Sequence, residues 1–141
     1  MIEPAIRAAR FADVESVLPL VEEFVTSFAV DRDAFRTSFQ KLLVDDSALV
    51  LVAETGGSLV AYCLGFVHGT FYANGPVAWL EEIMVEADHR RSGLGGRLME
   101  AFEAWSKQKG AILSALSTRR AARFYEAIGY EESATYYRRL L

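Results

Sequence analysis

The turn from Arg90 to Gly96 carries the clearest chemistry in the sequence. Its residues, Arg-Arg-Ser-Gly-Leu-Gly-Gly, combine two guanidinium groups with three glycines between a β-rich run that ends near Val85 and a helical pattern. Backbone N–H groups at a helix start attract anions, glycines let a phosphate approach the backbone, and arginines add charge-assisted hydrogen bonds. The turn therefore predicts a phosphate or pyrophosphate site. A tight strand-to-helix turn that uses glycine only for its backbone freedom is the structural alternative.

Two other phosphate-binding motifs fit the same residues poorly. A P-loop needs Gly-Lys-Ser/Thr at the helix start, whereas Gly96 is followed by Arg97 and Leu98. A dinucleotide fingerprint would place a third glycine at position 98, and it normally opens the first strand–helix–strand unit of a domain. The usual NTPase and dinucleotide-binding classes are therefore disfavoured.

The histidines and the cysteine predict neither a metal site nor a covalent nucleophile. His68 and His89 are isolated and lack neighbours at metal-ligand spacing. Cys63, the single cysteine, lies in an apolar run and has no histidine in an activating relation, so we expect a small buried residue. A cysteine that cannot pair within the chain fits a reducing, cytoplasmic location.

Length, composition and charge restrict the class of protein. With 141 residues, 52% of them hydrophobic, we expect a single domain over residues 1–141. No apolar run reaches the length of a membrane span and no secretory signal is present, so no membrane partner is expected. The net charge of −4 disfavours nucleic acid as a partner. Residues 1–89 carry 5 Lys/Arg against 14 Asp/Glu and residues 90–141 carry 10 against 5, so the second half, at +5, suits an anion.

The hydrophobic pattern predicts a strand, two helices and three further strands in the first half of the chain. A short edge strand over residues 5–9 precedes Asp13, which stands where a helix N-cap is expected. Apolar residues at helical spacing then mark one helix over residues 14–28 and another over residues 35–43. Three β-rich runs separated by glycine turns predict an antiparallel meander over residues 48–53, 59–72 and 77–85.

The second half predicts a crossover. A helical pattern from Leu94 to Trp105 is ended by Gly110, through a left-handed C-cap. The apolar run at residues 111–116 then predicts a strand parallel to the one before the helix. A last helix over residues 119–128 stops at Gly129, and residues 130–141 are expected to return as a closing strand.

At two separate motifs the sequence resembles the GCN5-related N-acetyltransferases. Residues 90–95, Arg-Arg-Ser-Gly-Leu-Gly, match that family's Arg/Gln-x-x-Gly-x-Gly/Ala pyrophosphate signature. Residues 121–130, Ala-Ala-Arg-Phe-Tyr-Glu-Ala-Ile-Gly-Tyr, look like its late Ala-x-x-Phe-Tyr-x-x-x-Gly-Phe element. The resemblance implies an α/β (α+β) fold with a mixed, mostly antiparallel sheet of about six to seven strands flanked by about four helices, in the order β-α-α-β-β-β-α-β-α-β.

The resemblance also implies acetyl-CoA as the cosubstrate and gives roles to the acid–base residues. Tyr125 stands at the position that in the family donates to the cofactor sulfur, and a packing role is the alternative. The base would be Glu81 or Glu82, on the strand beside the thioester. Adjacent strand residues face opposite sides, and we prefer Glu81 because it shares the parity of Val85. A bulge would reverse this choice, and the alternative is that one or both carboxylates only solvate the strand.

The implied cofactor contacts follow the splayed strand and the glycine turn. The pantetheine arm would bond strand backbone, and an N–H near Met84 or Val85 would hold the developing oxyanion. The full set is Ile83, Met84, Val85, Arg90, Arg91, Ser92, Gly93, Leu94, Gly95, Gly96, Arg97, Thr118 and Tyr125. Thr118 replaces an asparagine that many members carry, and its hydroxyl offers fewer hydrogen bonds than an amide.

These features predict an N-acetyltransferase in which a primary amine attacks acetyl-CoA directly in a ternary complex. The acceptor, a small molecule or a peptide amine, is not readable, because the helices and loops that select it carry no motif. A non-catalytic CoA- or acyl-CoA-binding sensor or interaction module of the same fold is the alternative. The segment around Tyr136 and Tyr137 is a candidate surface for a homodimer.

Overall fold

Alternating apolar residues and short turns build a central sheet of five strands. The computed structural model describes residues 2–141. Strands β1 to β4 pair antiparallel in chain order, and β5 pairs parallel with β4, so the order across the sheet is β1-β2-β3-β4-β5. The strands are β1 (Ala5–Ala8), β2 (Ala48–Thr55), β3 (Ser58–His68), β4 (Val77–Val85) and β5 (Ser114–Leu116).

The hairpin between β2 and β3 turns on two glycines, as the sequence predicted. Gly56 and Gly57 have φ angles of 57° and 79°. A two-residue turn with both φ angles positive matches the right-handed twist of the flanking strands, and glycine adopts it without a Cβ penalty. The predicted antiparallel meander is therefore confirmed.

In the described part of the chain, four α-helices cover the two faces of the sheet. α1 (Val14–Phe24) and α2 (Arg32–Leu43) pack on one face, around Tyr62 and Met84. α3 (Leu94–Gln108) and α4 (Ala122–Ala127) lie on the other face with Cys63. Within residues 2–141 no helix is long and apolar enough to cross a membrane.

Asp13 precedes α1 as expected but does not cap it with its side chain. Its carboxylate accepts the Arg10 N–H (2.8 Å) and two bonds from the Arg7 guanidinium (2.7 and 3.0 Å). The Arg7 guanidinium, which also binds Glu54, holds the pKa of the Asp13 carboxyl below its usual value. Asp13 therefore ties β1 to the start of α1.

The crossover from β4 to β5 through α3 is confirmed. Gly110 ends the helical segment with φ at 88°, the left-handed conformation that favours glycine. β5 then pairs parallel with β4 over three residue pairs, and the strand is shorter than the apolar run at 111–116. Gly129, at φ 99°, likewise follows α4 as expected.

The predicted closing strand over residues 130–141 is wrong. No strand forms there, and every side chain from Glu131 to Leu141 is exposed. This segment carries four charged residues and buries no apolar surface, so hydrophobic burial does not offset the entropy of ordering it as a strand. The sheet of the described residues therefore has five strands, not six or seven.

Candidate active site

The sheet opens between β4 and β5. Their pairing stops at the pair Leu80–Leu116, and residues 82–85 of β4 pair only with β3. We call the free edge along residues 81–85 the β4–β5 opening. An unpaired strand edge offers N–H and C=O groups to a ligand that lies along it.

The strand register identifies the amides that face this opening. The Glu86 N–H donates to the Val60 carbonyl at 2.8 Å. Glu86 and Val60 therefore form a hydrogen-bonded pair. Such pairs alternate with non-hydrogen-bonded pairs in an antiparallel ladder, so the N–H and C=O groups of Met84, two residues earlier, also bond to β3. Ile83 and Val85 then direct their N–H and C=O groups toward the β4–β5 opening. Of the two backbone N–H groups expected to hold the oxyanion, the N–H of Val85 faces the opening and the N–H of Met84 does not.

A β-bulge at Glu81 decides how the two neighbouring carboxylates are directed. In the β3–β4 register Leu64 lies opposite Glu82 and Gly65 opposite Leu80, so Glu81 is the extra residue. Glu81 is exposed, and its carboxylate accepts the indole N–H of Trp79 at 3.1 Å. The bulge turns Glu81 to the surface, whereas Glu82 keeps its regular pairing and lies on the inward face with Met84. This geometry favours the reversed assignment that a bulge implies.

Glu82 lies on the α1–α2 face of the sheet. The Tyr62 hydroxyl donates to Oε1 of Glu82 at 2.8 Å, and the Tyr62 side chain is buried. Burial raises the pKa of the Glu82 carboxyl above its usual value, the nearby Glu81 adds to the rise, and the Tyr62 hydrogen bond opposes it. Tyr62 was not predicted as a site residue, because only the strand register brings it beside Glu82.

Glu82 and Tyr62 line a cavity of about 300 Å³ between the sheet and the first two helices. We call it the α1–α2 cavity. Its other walls come from α1, the loop after α1 and α2. A second hollow of about 430 Å³, between α1 and the β2–β3 turn, contains none of the candidate catalytic residues.

Tyr125 lies on the opposite face of the sheet, in α4. Its ring packs against Phe124 and Tyr130, with centroid distances of 4.9 and 5.9 Å. Burial raises the pKa of the Tyr125 hydroxyl to about 12, so the group keeps its proton at neutral pH. Within residues 2–141 this hydroxyl has no hydrogen-bond partner, although the Tyr130 hydroxyl donates to Glu103 at 2.8 Å.

The buried Cys63 thiol lies on the same face as Tyr125. Burial raises the pKa of this thiol to about 12, which suppresses the thiolate needed for nucleophilic chemistry. The residues from 2 to 141 contain no group of three or more His, Cys, Asp or Glu side chains that could hold a metal ion.

The glycine turn forms the start of α3. Gly93 is the N-cap with φ at 84°, and the Arg97 N–H donates to its carbonyl at 3.1 Å. The N–H groups of residues 93–96 precede this first intrahelical bond and are available to an anion. A Cβ built at Gly93 or Gly96 meets no atom within 4 Å, so a phosphate can approach the backbone there.

Gly95 connects the two sequence motifs. A Cβ built on Gly95 would lie 3.3 Å from Cζ of Phe124, so the Phe124 ring covers this glycine closely. The glycine turn and the Phe124-Tyr125 element, 29 positions apart between Gly95 and Phe124, therefore meet on one face of the sheet.

Polar side chains of the predicted cofactor set make bonds within the protein. The Arg90 Nε donates to the Val85 carbonyl at 2.8 Å, and Arg97 Nη1 donates to the Pro4 carbonyl at 3.0 Å. Ser92 Oγ donates to the His89 carbonyl at 2.6 Å, and the Thr118 hydroxyl accepts the Ala121 N–H at 3.1 Å. Arg97 is thus directed toward the N-terminal segment, and Thr118 acts as a turn residue before α4.

Two further members of that set differ in exposure. Arg91 is exposed and has a positive φ of 61°. The Leu94 side chain is buried in the core, so only its backbone can face a ligand.

A mixed sheet that opens between its fourth and fifth strands, with a glycine-rich helix start, agrees with the fold that the resemblance implies. The chain belongs to the Acetyltransferase (GNAT) family, because the family model matches residues 17–130. The resemblance of the two motifs is therefore confirmed at the level of the family.

Individual relatives agree with this membership. The chain is 33% identical over 109 residues to an aminoglycoside N(6')-acetyltransferase type 1 of Acinetobacter genomosp. 13, covering 72% of this chain and 75% of the relative. It is 29% identical over 132 residues to the aminoalkylphosphonate N-acetyltransferase of Salmonella typhimurium, covering 91% of this chain and 85% of that one.

A solved structure of the same fold contains a CoA-derived ligand. It is AAC(6')-Iy in complex with the bisubstrate analogue CoA-S-monomethyl-acetylneamine, with a TM-score of 0.84 and 21% identity. The match covers 99% of this chain and 100% of that one. At this identity the likeness supports the fold, and the predicted mixed α/β architecture is confirmed apart from its strand count.

Proposed function

We propose that the protein transfers the acetyl group of acetyl-CoA to a primary amine, with Glu82 as the general base. The observation that carries this proposal is a carboxylate with a raised pKa, fixed by Tyr62 at the wall of the α1–α2 cavity and carried on β4, the strand that forms one edge of the β4–β5 opening. A base works best when its pKa lies near the working pH, and burial moves Glu82 in that direction. Glu81 is exposed outside this cavity and is not part of the proposal as base.

The glycine turn supports CoA as the donor. The N–H groups of residues 93–96 and the open space above Gly93 and Gly96 suit a pyrophosphate. Arg91, on the surface of the same turn, would add a charge-assisted bond. The N–H groups of Ile83 and Val85 and the Ile83 carbonyl would bond the amides of the pantetheine arm, since the Val85 carbonyl already accepts a hydrogen bond from Arg90. The Thr118 and Arg97 side chains are expected to contribute less to cofactor binding, because each already makes a hydrogen bond to the protein backbone.

Tyr125 is proposed as the acid that protonates the departing thiolate. Its pKa of about 12 keeps the proton on the hydroxyl, and the hydroxyl makes no hydrogen bond within residues 2–141. Glu82 and Tyr125 lie on opposite faces of the sheet, and the β4–β5 opening is where groups from the two faces can meet. The N–H of Ile83 or Val85 would stabilise negative charge on the carbonyl oxygen.

The proton balance follows from these positions. Acetyl-CoA supplies a thioester whose C–S bond is replaced by a C–N bond to the amine. Glu82 accepts the extra proton of the ammonium form and passes it to solvent. Tyr125 gives its proton to the sulfur and regains one that leaves the nitrogen as the amide forms. The products are an N-acetyl amine, free CoA thiol and one released proton.

The paired carboxylates provide a matched test of the base. Thiol release from acetyl-CoA would be measured with a panel of primary amines for wild type, Glu82→Gln and Glu81→Gln. We expect Glu82→Gln to lower kcat/KM about 10²- to 10⁴-fold and Glu81→Gln to leave it near wild type. CoA affinity, measured by calorimetry, should be unchanged in both. A larger loss in Glu81→Gln would overturn the assignment of the base.

The acid is tested in the same assay. Tyr125→Phe keeps the aromatic packing but removes the proton, so kcat should fall about 10²-fold or more while CoA affinity is retained. If the wild type binds CoA but releases no thiol with any amine of the panel, the alternative of a non-catalytic CoA-binding module would replace the proposal.

A further inference from the structure

The α1–α2 cavity has predominantly apolar walls. Apart from Asp31, Ser38, Tyr62 and Glu82, every residue that lines it is apolar. The apolar walls come from α1, from the loop over residues 25–30, from α2 and from strands β2 and β3. A ligand that fills this space gains free energy mainly by removing apolar surface from water.

The polar groups of the cavity are mostly engaged. Oδ1 of Asp31 accepts the Ala34 N–H at 2.9 Å and caps α2. The Tyr62 hydroxyl donates to Oε1 of Glu82, which is the only hydrogen bond to this carboxylate within residues 2–141. Oε2 of Glu82 is therefore the charged acceptor that is free to meet an ammonium group inside the cavity.

The cavity has no cationic side chain that would recognise an anion. None of its lining residues is a lysine or an arginine. A buried phosphate or phosphonate without a cationic partner carries a large desolvation cost. A ligand with several ammonium groups is disfavoured too, because only Glu82 and the exposed, capping Asp31 carry negative charge there.

Size and the cavity mouth add two further constraints. A volume of about 300 Å³ lies at the lower end of small-molecule sites. Phe28, 60% exposed, lines the cavity from the loop after α1, which extends the apolar surface outward. A compact apolar group would fit the interior and could contact this ring.

We propose that the acceptor is a primary amine with one positive charge, carried on a compact alkyl or aryl body that fills the α1–α2 cavity. This inference rests on the proposed function, in which Glu82 removes the ammonium proton. Such an amine differs from the acceptors for which the two relatives are named, since an aminoglycoside carries several amines and an aminoalkylphosphonate carries an anion. The selecting element is the apolar wall, and Glu82 orients the amine.

A homologous series of amines tests the proposal. Thiol release with acetyl-CoA would be measured for ethylamine through n-hexylamine, 2-phenylethylamine, kanamycin A and 2-aminoethylphosphonate. Each added methylene that is buried should raise kcat/KM about three- to fourfold until the cavity is full. 2-Phenylethylamine should exceed kanamycin A and 2-aminoethylphosphonate by about 100-fold or more.

Exposed phenylalanines give a matched pair of variants. Phe28→Asp should raise the KM for 2-phenylethylamine several-fold and leave CoA affinity unchanged. Phe71→Asp, at a fully exposed ring outside the cavity, should leave both unchanged. Neither side chain is part of the buried core, so loss of folding does not confound the comparison.

The outcomes separate this inference from the proposed function. A flat series of alkylamines, or a preference for kanamycin A or 2-aminoethylphosphonate that depends on Glu82, would overturn the inference and leave the N-acetyltransferase proposal standing. Absence of thiol release from every amine, despite CoA binding, would overturn both.

Discussion

The Tyr62 hydroxyl donates a 2.8 Å hydrogen bond to Oε1 of Glu82 across the β3–β4 pair. The two residues are 20 positions apart, and the regular pairing of Tyr62 with Met84 and of Leu64 with Glu82 places both side chains on the same face of the sheet. The hydrogen bond stabilises the ionised carboxylate and partly opposes the effect of burial on the pKa of Glu82. Tyr62 is thus a positioning residue for the proposed base.

Tyr62→Phe should shift the pH dependence of activity. Without the hydroxyl the pKa of Glu82 rises further, so the limb on which kcat/KM increases with pH should move to higher pH. Profiles of kcat/KM against pH for wild type and Tyr62→Phe would measure the shift. Phe24→Leu, which alters the edge-on ring contact with Tyr62 at 6.3 Å, should leave the midpoint unchanged. An identical midpoint in Tyr62→Phe would contradict the role given to the hydrogen bond.

Glu82→Gln should make the protein more stable at neutral pH. The pKa of Glu82 is raised in the folded state, so its stabilising contribution is full below the unfolded pKa of about 4.3 and is lost as pH rises through the folded pKa. Glutamine does not ionise, so Glu82→Gln avoids this loss of unfolding free energy. Each pKa unit by which the fold raises the pKa of Glu82 corresponds to about 1.4 kcal/mol. Thermal unfolding at pH 4 and pH 8 should show a gain only at pH 8. No gain in Glu82→Gln relative to Glu81→Gln at pH 8 would argue against a desolvated carboxylate.

Much of the fold could be predicted because its determinants are local. Strand β2 ends at Gly56-Gly57 and the α3 segment ends at Gly110, where positive φ angles favour glycine. The spacing of apolar residues in α1 to α3 follows from helix geometry. The glycine turn and the Phe124-Tyr125 element are contiguous motifs, and their contact at Gly95 agrees with a shared site.

The orientation of the two carboxylates could not be predicted in this way. Counting alternate residues assumes a regular pleat, and the bulge at Glu81 breaks that count by one position. The bulge is defined only against β3, where Gly65 lies opposite Leu80. The prediction of a closing strand was wrong for a related reason. A strand must pair with the edge of another strand, and residues 130–141 do not pair with any edge of the sheet.

Gly65→Ala should destabilise the protein. Gly65 is buried in β3, and a Cβ there would overlap the ring of Phe102, a fully buried side chain of α3. Overpacking of this kind costs about 1–3 kcal/mol. Gly69→Ala is the control, since a Cβ at Gly69 meets no atom within 4 Å. Urea unfolding should separate the two variants, and equal midpoints would show that Phe102 can move aside.

Gly96→Ala should separate stability from cofactor binding. Gly96 lies in the first turn of α3 at an ordinary helical φ, and a Cβ there meets no protein atom, so alanine should stabilise the free protein by up to about 1 kcal/mol. The same Cβ would occupy the space through which a phosphate reaches the N–H groups of residues 93–96, so CoA affinity should fall at least about tenfold. Calorimetry and thermal unfolding would measure the two effects. The control is Ala104→Gly, at an exposed position of the same helix, which should lower the free energy of unfolding by about 1 kcal/mol without changing CoA affinity. Unchanged CoA binding in Gly96→Ala would show that the pyrophosphate does not bind at this turn.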